Sequence, residues 1–289
     1  QLQQAYSELI EGCEAPALTQ PLQYTEYAVW QRLWYGSAGR LEQQLQWWKQ
    51  ALGDVPVLEL QTDFARPAVL GSAGGFVAVE IAAAEGLRGV WQSCGATQMH
   101  GGLALWGLLL CQHSGQGEVM IGTPFLNRGR AGLEGVIGYF VSTLGVLLQL
   151  QDAGAGYMDV VYGASRAMLG ALEHGETPFV AVVQAVVEGR DSSRTPVYQT
   201  MLGWQEGQAA ESQESDVASA EQRAGGLQLA PQPTITEAAT DSRDNTVAKF
   251  EIELDLSPAS DRQLLQGSLT YSSELYLQGT VERMAHRLA

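Results

Sequence analysis

An α/β two-layer sandwich, a mixed sheet with helices packed on it, is the fold class that this 289-residue chain predicts. Three observations carry the expectation. From Phe76 onward, strand-like and helix-like segments alternate. Phe250, Ile252, Leu254 and Leu256 alternate with Glu251, Glu253 and Asp255, the period-two pattern of a half-buried strand. A hydrophobic content of 45% in a chain of this length supports a real core.

The elements follow in order. The segment to about Glu11 reads as the end of a helix, broken by Gly12, Pro16 and Pro21. Leu41, Leu45, Trp48 and Leu52 recur at helical spacing, with Gly53 as a C-terminal stop. Pro56 to Gly75 reads as an irregular connector. Phe76–Ile81 is expected as a strand and Glu85–Ser114 as one long, largely buried helix. Glu118–Thr123 and Leu144–Leu150 are further strands. Met158, Val161, Met168 and Leu172 mark an amphipathic helix in which Ser165 fills the missing turn. Tyr198–Trp204 is rich in β-formers, Leu269 and Tyr271 mark one more strand, and Val281, Met284 and Leu288 a closing helix. Gln205–Ala224 is rich in Gln, Glu, Ser and Ala with no aromatic residue. That composition buries too little to order itself and predicts a mobile surface loop.

Charge and cysteine usage exclude several function classes. A formal net charge of −16 argues against nucleic acid and against an anionic membrane surface, since both select clustered Lys and Arg. No apolar run approaches the roughly 20 residues that span a bilayer, and Leu103–Cys111 falls far short. The chain starts at Gln1 with no basic-then-apolar segment, so no secretory signal is expected, and the missing initial Met fits a piece of something longer. Cys13, Cys94 and Cys111 form no CxxC pair, which excludes a disulfide framework and the common zinc spacings. Cys94 and Cys111 read as small core residues, and a reducing cytoplasmic setting follows.

Four motifs stand in series. They are Tyr24-Thr25-Glu26-Tyr27-Ala28-Val29-Trp30, Ile137-Gly138-Tyr139-Phe140-Val141-Ser142-Thr143, His174-Gly175-Glu176-Thr177-Pro178-Phe179 and Arg190-Asp191-Ser192-Ser193-Arg194-Thr195-Pro196. In this order and at these separations they resemble the later motifs of nonribosomal peptide synthetase condensation domains, which read roughly YxD[FY]AVW, [IV]GxFVNT, HQDxPFE and RDxSRNP. Asp63, Arg66 and Pro67 also match a family stretch like TDxxRP. The resemblance covers essentially the whole chain. It implies a chloramphenicol-acetyltransferase-like lobe: residues 21–289 as the C-terminal lobe of a condensation domain, and residues 1–20 as a remnant of the last helix of the N-terminal lobe.

The resemblance further implies a channel between two lobes, where aminoacyl and peptidyl thioesters carried on phosphopantetheine are joined by amide bond formation. Its expected partners are the N-terminal lobe, peptidyl carrier proteins and an adenylation domain, with no directly bound cofactor and no metal. Motif or channel-lining positions are Tyr24, Tyr27, Trp30, Gly138, Phe140, Ser142, Thr143, His174, Pro178, Phe179, Arg190, Asp191, Arg194 and Pro196. The family's catalytic HHxxxDG motif does not occur in the 289 residues, so no catalytic residue is assigned and the chain alone is expected to be inactive. Departures from the family pattern are Ser142 for Asn, Leu147 for Arg, Gly175-Glu176 for Gln-Asp and Val180 for Glu.

The remaining chemistry-bearing residues read as structural. His100 lies in an apolar helix, His113 near a helix end where a cation would favour the dipole, His286 in the closing helix, and His174 at a turn beside Pro178. In the fourth motif Asp191 suits a backbone cap and Arg194 a bend-spanning guanidinium. Glycines 101, 102, 132, 135 and 138 follow no strand-to-helix phosphate pattern. Asn127-Arg128-Gly129-Arg130 is the one compact basic patch, read as a solvated loop with a pantetheine-phosphate contact as the alternative. No GxSxG supports a hydrolase. Two other functions stay open: a degenerate docking or scaffold lobe, and a coenzyme A-dependent acyltransferase, which needs a histidine motif of its own. Epimerisation and cyclisation domains are siblings of the first reading.

Overall fold

A computed structural model describes residues 22–53, 57–82, 85–150, 156–187, 189, 191–205, 246–259 and 264–289. The expected helix end before Glu11, residue Arg190 and residues 206–224 of the expected mobile loop lie outside the described residues. Thirteen elements follow in order: α1 (Tyr24–Gly36), α2 (Arg40–Leu52), β1 (Gly74–Ala82), α3 (Glu85–Ser93), α4 (Gln98–Ser114), β2 (Glu118–Phe125), β3 (Ser142–Gln149), α5 (Tyr157–Glu173), α6 (Phe179–Val186), β4 (Thr200–Trp204), β5 (Ile252–Pro258), β6 (Leu264–Ser272) and α7 (Gln278–Leu288).

The six strands form one mixed sheet in the order β1-β6-β5-β4-β2-β3. β4 runs parallel to β2 and to β5, and the other pairs are antiparallel. One face carries Ile121, Val146, Leu202, Leu254 and Leu269, all fully or almost fully buried. Helices α4, α5 and α7 pack on the sheet, and Trp106 of α4 donates its Nε1–H to Thr200 Oγ1 (3.1 Å) on this face. On the opposite face, α2 reaches the β2–β3 end, where Leu52 lies against Gly145 and Met120. The predicted mixed sheet with packed helices is what the chain forms.

Three local expectations change. The single helix Glu85–Ser114 is two helices, because Gly95 takes a left-handed φ of 64° and Thr97 caps a new start at α4. Thr97 Oγ1 accepts from His100 N–H (3.3 Å), while His100 Nδ1 accepts from Thr97 N–H (3.2 Å), a reciprocal cap. Helices α1 and α6 were not anticipated, and in α6 Phe-Val-Ala-Val-Val-Gln-Ala-Val has almost no polar face for a helical period to reveal. Finally, Glu251 is not solvated as the polar half of the alternation suggests. It stands just before the strand with its side chain 0% exposed.

Glu251 is held by Arg66, whose Nη1 and Nη2 donate to the two carboxylate oxygens at 2.8 Å each. The Arg66 side chain is 18% exposed, so the two partners differ in what their loss leaves behind. Arg66→Ala strands a fully buried carboxylate and is expected to cost about 3 kcal/mol in urea unfolding. Glu251→Gln leaves a guanidinium that reaches water and should cost clearly less. Equal losses, or an Arg66→Ala chain within about 0.5 kcal/mol of the parent, would refute this account.

Burial, with the neighbouring Asp255 carboxylate, pushes Glu253 up to about 7, while Lys249 pulls the other way. Burial likewise raises Asp255. The unfolded chain releases the Glu253 proton in the ordinary carboxylate range; the folded chain keeps it until about pH 7. Between those points the native state binds more protons, so stability falls as pH rises through the window and levels above it. Glu253→Gln should flatten that slope in thermal melts from pH 4.5 to 7.5, and an unchanged slope would sink the assignment.

Candidate functional site

Helix α1 places Tyr24, Tyr27 and Trp30 on one face, three residues apart. That stripe meets the loop after β2, where Tyr27, Leu133, Val136 and Phe140 form a small core separate from the main one, with Tyr24 and Trp30 packed against it. The Phe140 ring lies 4.8 Å from Tyr27 and meets Tyr24 edge-on at 5.1 Å. The Tyr24 hydroxyl donates to the Tyr139 carbonyl (2.8 Å). Gly138 sits so close to the Tyr24 ring that a Cβ there would overlap it. The first and second motifs are thus one packed unit. Outside it, Ile137 and Tyr139 stay 86% and 75% exposed.

The basic patch is only partly solvated: the Arg130 side chain stays 41% exposed, while Arg128 is turned onto its own loop. Arg128 Nη1 donates to the carbonyls of Leu133 (2.9 Å) and Val136 (2.8 Å), Nη2 to that of Gly138 (3.3 Å), and the guanidinium lies 4.3 Å from the Phe140 ring centre. Arg130 makes a bidentate pair with Glu176 (3.0 and 2.7 Å) and lies over Trp30 at 4.5 Å. Sequence spacing could not reveal these partners, because every carbonyl belongs to the loop's own fold. The Arg130–Glu176 pair also joins the third motif to the first two.

His174 ends α5 and anchors its turn to α2. Its Nδ1–H donates to Gln44 Oε1 (2.6 Å), its ring stacks on Trp47 at 4.0 Å, and its carbonyl accepts from Trp48 Nε1–H (3.3 Å) and Thr177 N–H (3.2 Å). Burial lowers its pKa, with Glu173 opposing, which favours the neutral ring. His113 departs from the cation expected at a helix end. It faces Arg287 Nη1 at 3.2 Å, and burial followed by that guanidinium lowers its pKa, so the neutral ring accepts. Buried His100 is likewise lowered, by desolvation.

The fourth motif folds against the connector instead. Asp191 Oδ1 accepts from Ser193 N–H (2.8 Å) and Oγ–H (2.6 Å), the expected cap. Arg194 does not span its own bend: it crosses to the Leu58 carbonyl (2.9 Å) and to both oxygens of Glu59. Arg66 also donates to the Ser193 carbonyl (3.2 Å). Two residues beyond Pro196, Tyr198 is a junction that motif reading missed. It is buried, hydrogen-bonds Thr143, and lies 5.6 Å from Phe179 and 5.5 Å from Phe250. Gly122 on β2 leaves room for its ring. An aromatic side chain next to a proline turn, opposite a strand glycine, was the available signal. Ser142 and Thr143 open β3. A cavity of about 800 Å³ lies between the end of α2, α6 and the loop 191–199.

The condensation-domain family matches residues 1–289, the full length of the chain. The chain belongs to the condensation-domain family. It is 32% identical over 286 residues to malpinin synthetase of Mortierella alpina, covering 98% of this chain and 3% of that protein. It is 30% identical over 280 residues to tyrocidine synthase 3 of Brevibacillus parabrevis, 96% and 4% of the two. The X-domain from teicoplanin biosynthesis superposes with a TM-score of 0.77 at 23% identity, over 98% of this chain and 61% of that one, and so supports the fold. The chain therefore spans only a few per cent of the synthetases it matches. Among the described residues no helix is long and apolar enough to cross a membrane, and no cluster of three His, Cys, Asp or Glu suits a metal.

Gly138→Ala tests the junction of the first two motifs. The added methyl should push Tyr24 away and cost about 1–3 kcal/mol, with faster amide exchange concentrated in α1. Unchanged exchange in α1 would show that the close approach is not what seats the helix.

Proposed function

We propose that this chain is the C-terminal lobe of a peptide-synthetase condensation domain, one wall of a channel that joins carrier-bound thioesters through an amide bond. Residues 21–289 make that lobe in this reading, with residues 1–20 belonging to the last helix of the first lobe. The observation that carries it is the packed junction of the first three motifs. Tyr27 and Phe140 are buried against each other, while Ile137 and Tyr139 on the same segment face outward as uncovered apolar surface.

The amine of one tethered substrate attacks the thioester carbonyl of the other. The C–N bond forms, the C–S bond breaks, the amine gives up a proton and the carrier's pantetheine thiol is released. Holding two tethered reactants together replaces much of the entropy cost of a bimolecular encounter, so a stiff wall is itself catalytic equipment. The proton-handling histidine in this reading belongs to the first lobe. His100, His113 and His174 are committed to Thr97, Arg287 and Gln44, which disfavours a coenzyme A acyltransferase built on this chain alone. Carrier proteins, an adenylation domain and the N-terminal lobe are the partners, and the substrates arrive on pantetheine with no cofactor held directly. A scaffold role is the second reading, favoured by Leu147, which packs on the core where the family carries arginine.

Mixing the chain with the matching first lobe is expected to stabilise it by roughly 3 kcal/mol at about 100 times the dissociation constant. Loaded donor and acceptor carriers should yield peptide only in the mixture. Peptide formed by the chain alone and lost in His174→Ala would overturn the half-domain reading. Stabilisation without product would favour the scaffold.

A further inference from the structure

We infer that the cavity between α2, α6 and the loop 191–199 is a side-chain pocket that takes an uncharged aliphatic group of the tethered substrate. The inference rests on the condensation-domain reading above and adds to it a substrate class. The cavity measures about 800 Å³, within the roughly 300–1,000 Å³ usual for small-molecule sites. Its apolar wall comes from Leu52, Val57, Met120, Val183, Val186 and Pro196.

Among the described residues, the less exposed polar side chains around it, Arg194, Gln199 and Thr195, are engaged with the protein. Arg194 is held by Leu58 and Glu59. Gln199 accepts from Leu58 N–H (2.9 Å) and donates to the Thr195 carbonyl (3.0 Å), and the Thr195 hydroxyl donates to the Tyr198 carbonyl. Asp191 is exposed at the rim, with Oδ1 taken by Ser193. Gln184 and Ser192 are exposed as well. A polar group pushed against the aliphatic wall of Leu52, Met120, Val183 and Val186 would lose water without a partner there, whereas an aliphatic group loses only unfavourable hydration. The rim carboxylate of Asp191 adds repulsion against an acidic substrate and none against an amine.

The wall is also built from site elements. Pro196, Arg194 and Asp191 belong to the fourth motif, and Met120 lies on the strand that carries Gly122 beneath Tyr198. Val197 and Gln199, the lining residues on either side of Tyr198, connect the cavity in sequence to the junction that Tyr198 makes with Thr143 and Phe179.

Direct binding tests this without any activity assay. Non-hydrolysable pantetheine amides of leucine, N-acetyl-leucine and aspartate are titrated into the 289-residue chain, followed by calorimetry and methyl NMR. The leucine-bearing probes are expected to shift the methyl signals of Met120, Val183 and Val186 and to bind at least about tenfold tighter than the aspartate probe. Tighter binding of the free-amine probe than of the acetylated one assigns the pocket to the amine-bearing substrate, and the reverse order to the acylated one. Val183→Phe, which fills the cavity, should weaken leucine binding about tenfold or more. Val57→Asp is a second variant at a half-exposed position, chosen so that folding is spared. Equal affinity for leucine and aspartate, or parent-like binding in both variants, overturns the inference. Failure of the lobe mixture to make peptide while these probes still bind would overturn the functional reading and leave the pocket standing.

Discussion

The buried pair of Arg66 and Glu251 is the constraint that the rest of the architecture depends on. A carboxylate with no exposure is tolerable only when its charge is met and its oxygens are bonded. Arg66 meets both needs, and to do so the connector between α2 and β1 has to run past the entrance of β5. The same connector then fixes its neighbours. Asp63 accepts from Leu277 N–H (2.8 Å) and Thr280 Oγ1–H (2.9 Å) at the start of α7. Leu70 N–H donates to the Ser192 carbonyl (3.0 Å), and the Leu58 backbone bonds both Arg194 and Gln199. Segments nearly two hundred residues apart are therefore in register because one carboxylate cannot be left alone.

Two packed units result, and Tyr198 connects them. In the first, the α1 stripe clamps the loop 126–141, and Arg128 donates to the Leu133 and Val136 carbonyls of that loop. In the second, the connector braces the loop 191–199. Tyr198 leaves that loop and bonds Thr143, where the clamped segment becomes β3. Among the described residues, these contacts brace the two units against each other at Tyr198 and Thr143. A channel that works by holding reactants in place needs that bracing more than it needs a reactive side chain.

The sheet and most helices were legible because they rest on local periodicity, which one strand or helix displays by itself. The Gly95 break was legible too, in a glycine followed by a threonine cap, but the apolar run on either side masked it. Glu251 was misread for a different reason. Period-two alternation suggests a solvated carboxylate, and the Arg66 that meets its charge in the interior lies 185 residues away. The arginine patch failed likewise, since a guanidinium that serves its own loop looks identical in sequence to one awaiting a phosphate. The site motifs identified the family without revealing which of them touch. The fourth motif's alliance with the connector, rather than with the aromatic clamp, is a tertiary fact with no local signature.

The departures from the family pattern gain a physical meaning in this setting. Glu176, in place of the family's aspartate, forms the bidentate pair with Arg130 that fastens the third motif to the clamp. Gly175 lies where a Cβ would come within 3.0 Å of Leu144 and 3.2 Å of Phe125, so a longer residue there requires a different packing of β2 and β3. Leu147 contributes to the core and Val180 stands exposed on α6. Two of the changes are thus absorbed by matched neighbours, and a third by the core. The wall has kept its cohesion while losing polarity. In the proposed role, that combination suits a surface that grips apolar substrate through shape, beside a cavity whose described wall is largely aliphatic and whose Arg194, Thr195 and Gln199 are bonded within the fold.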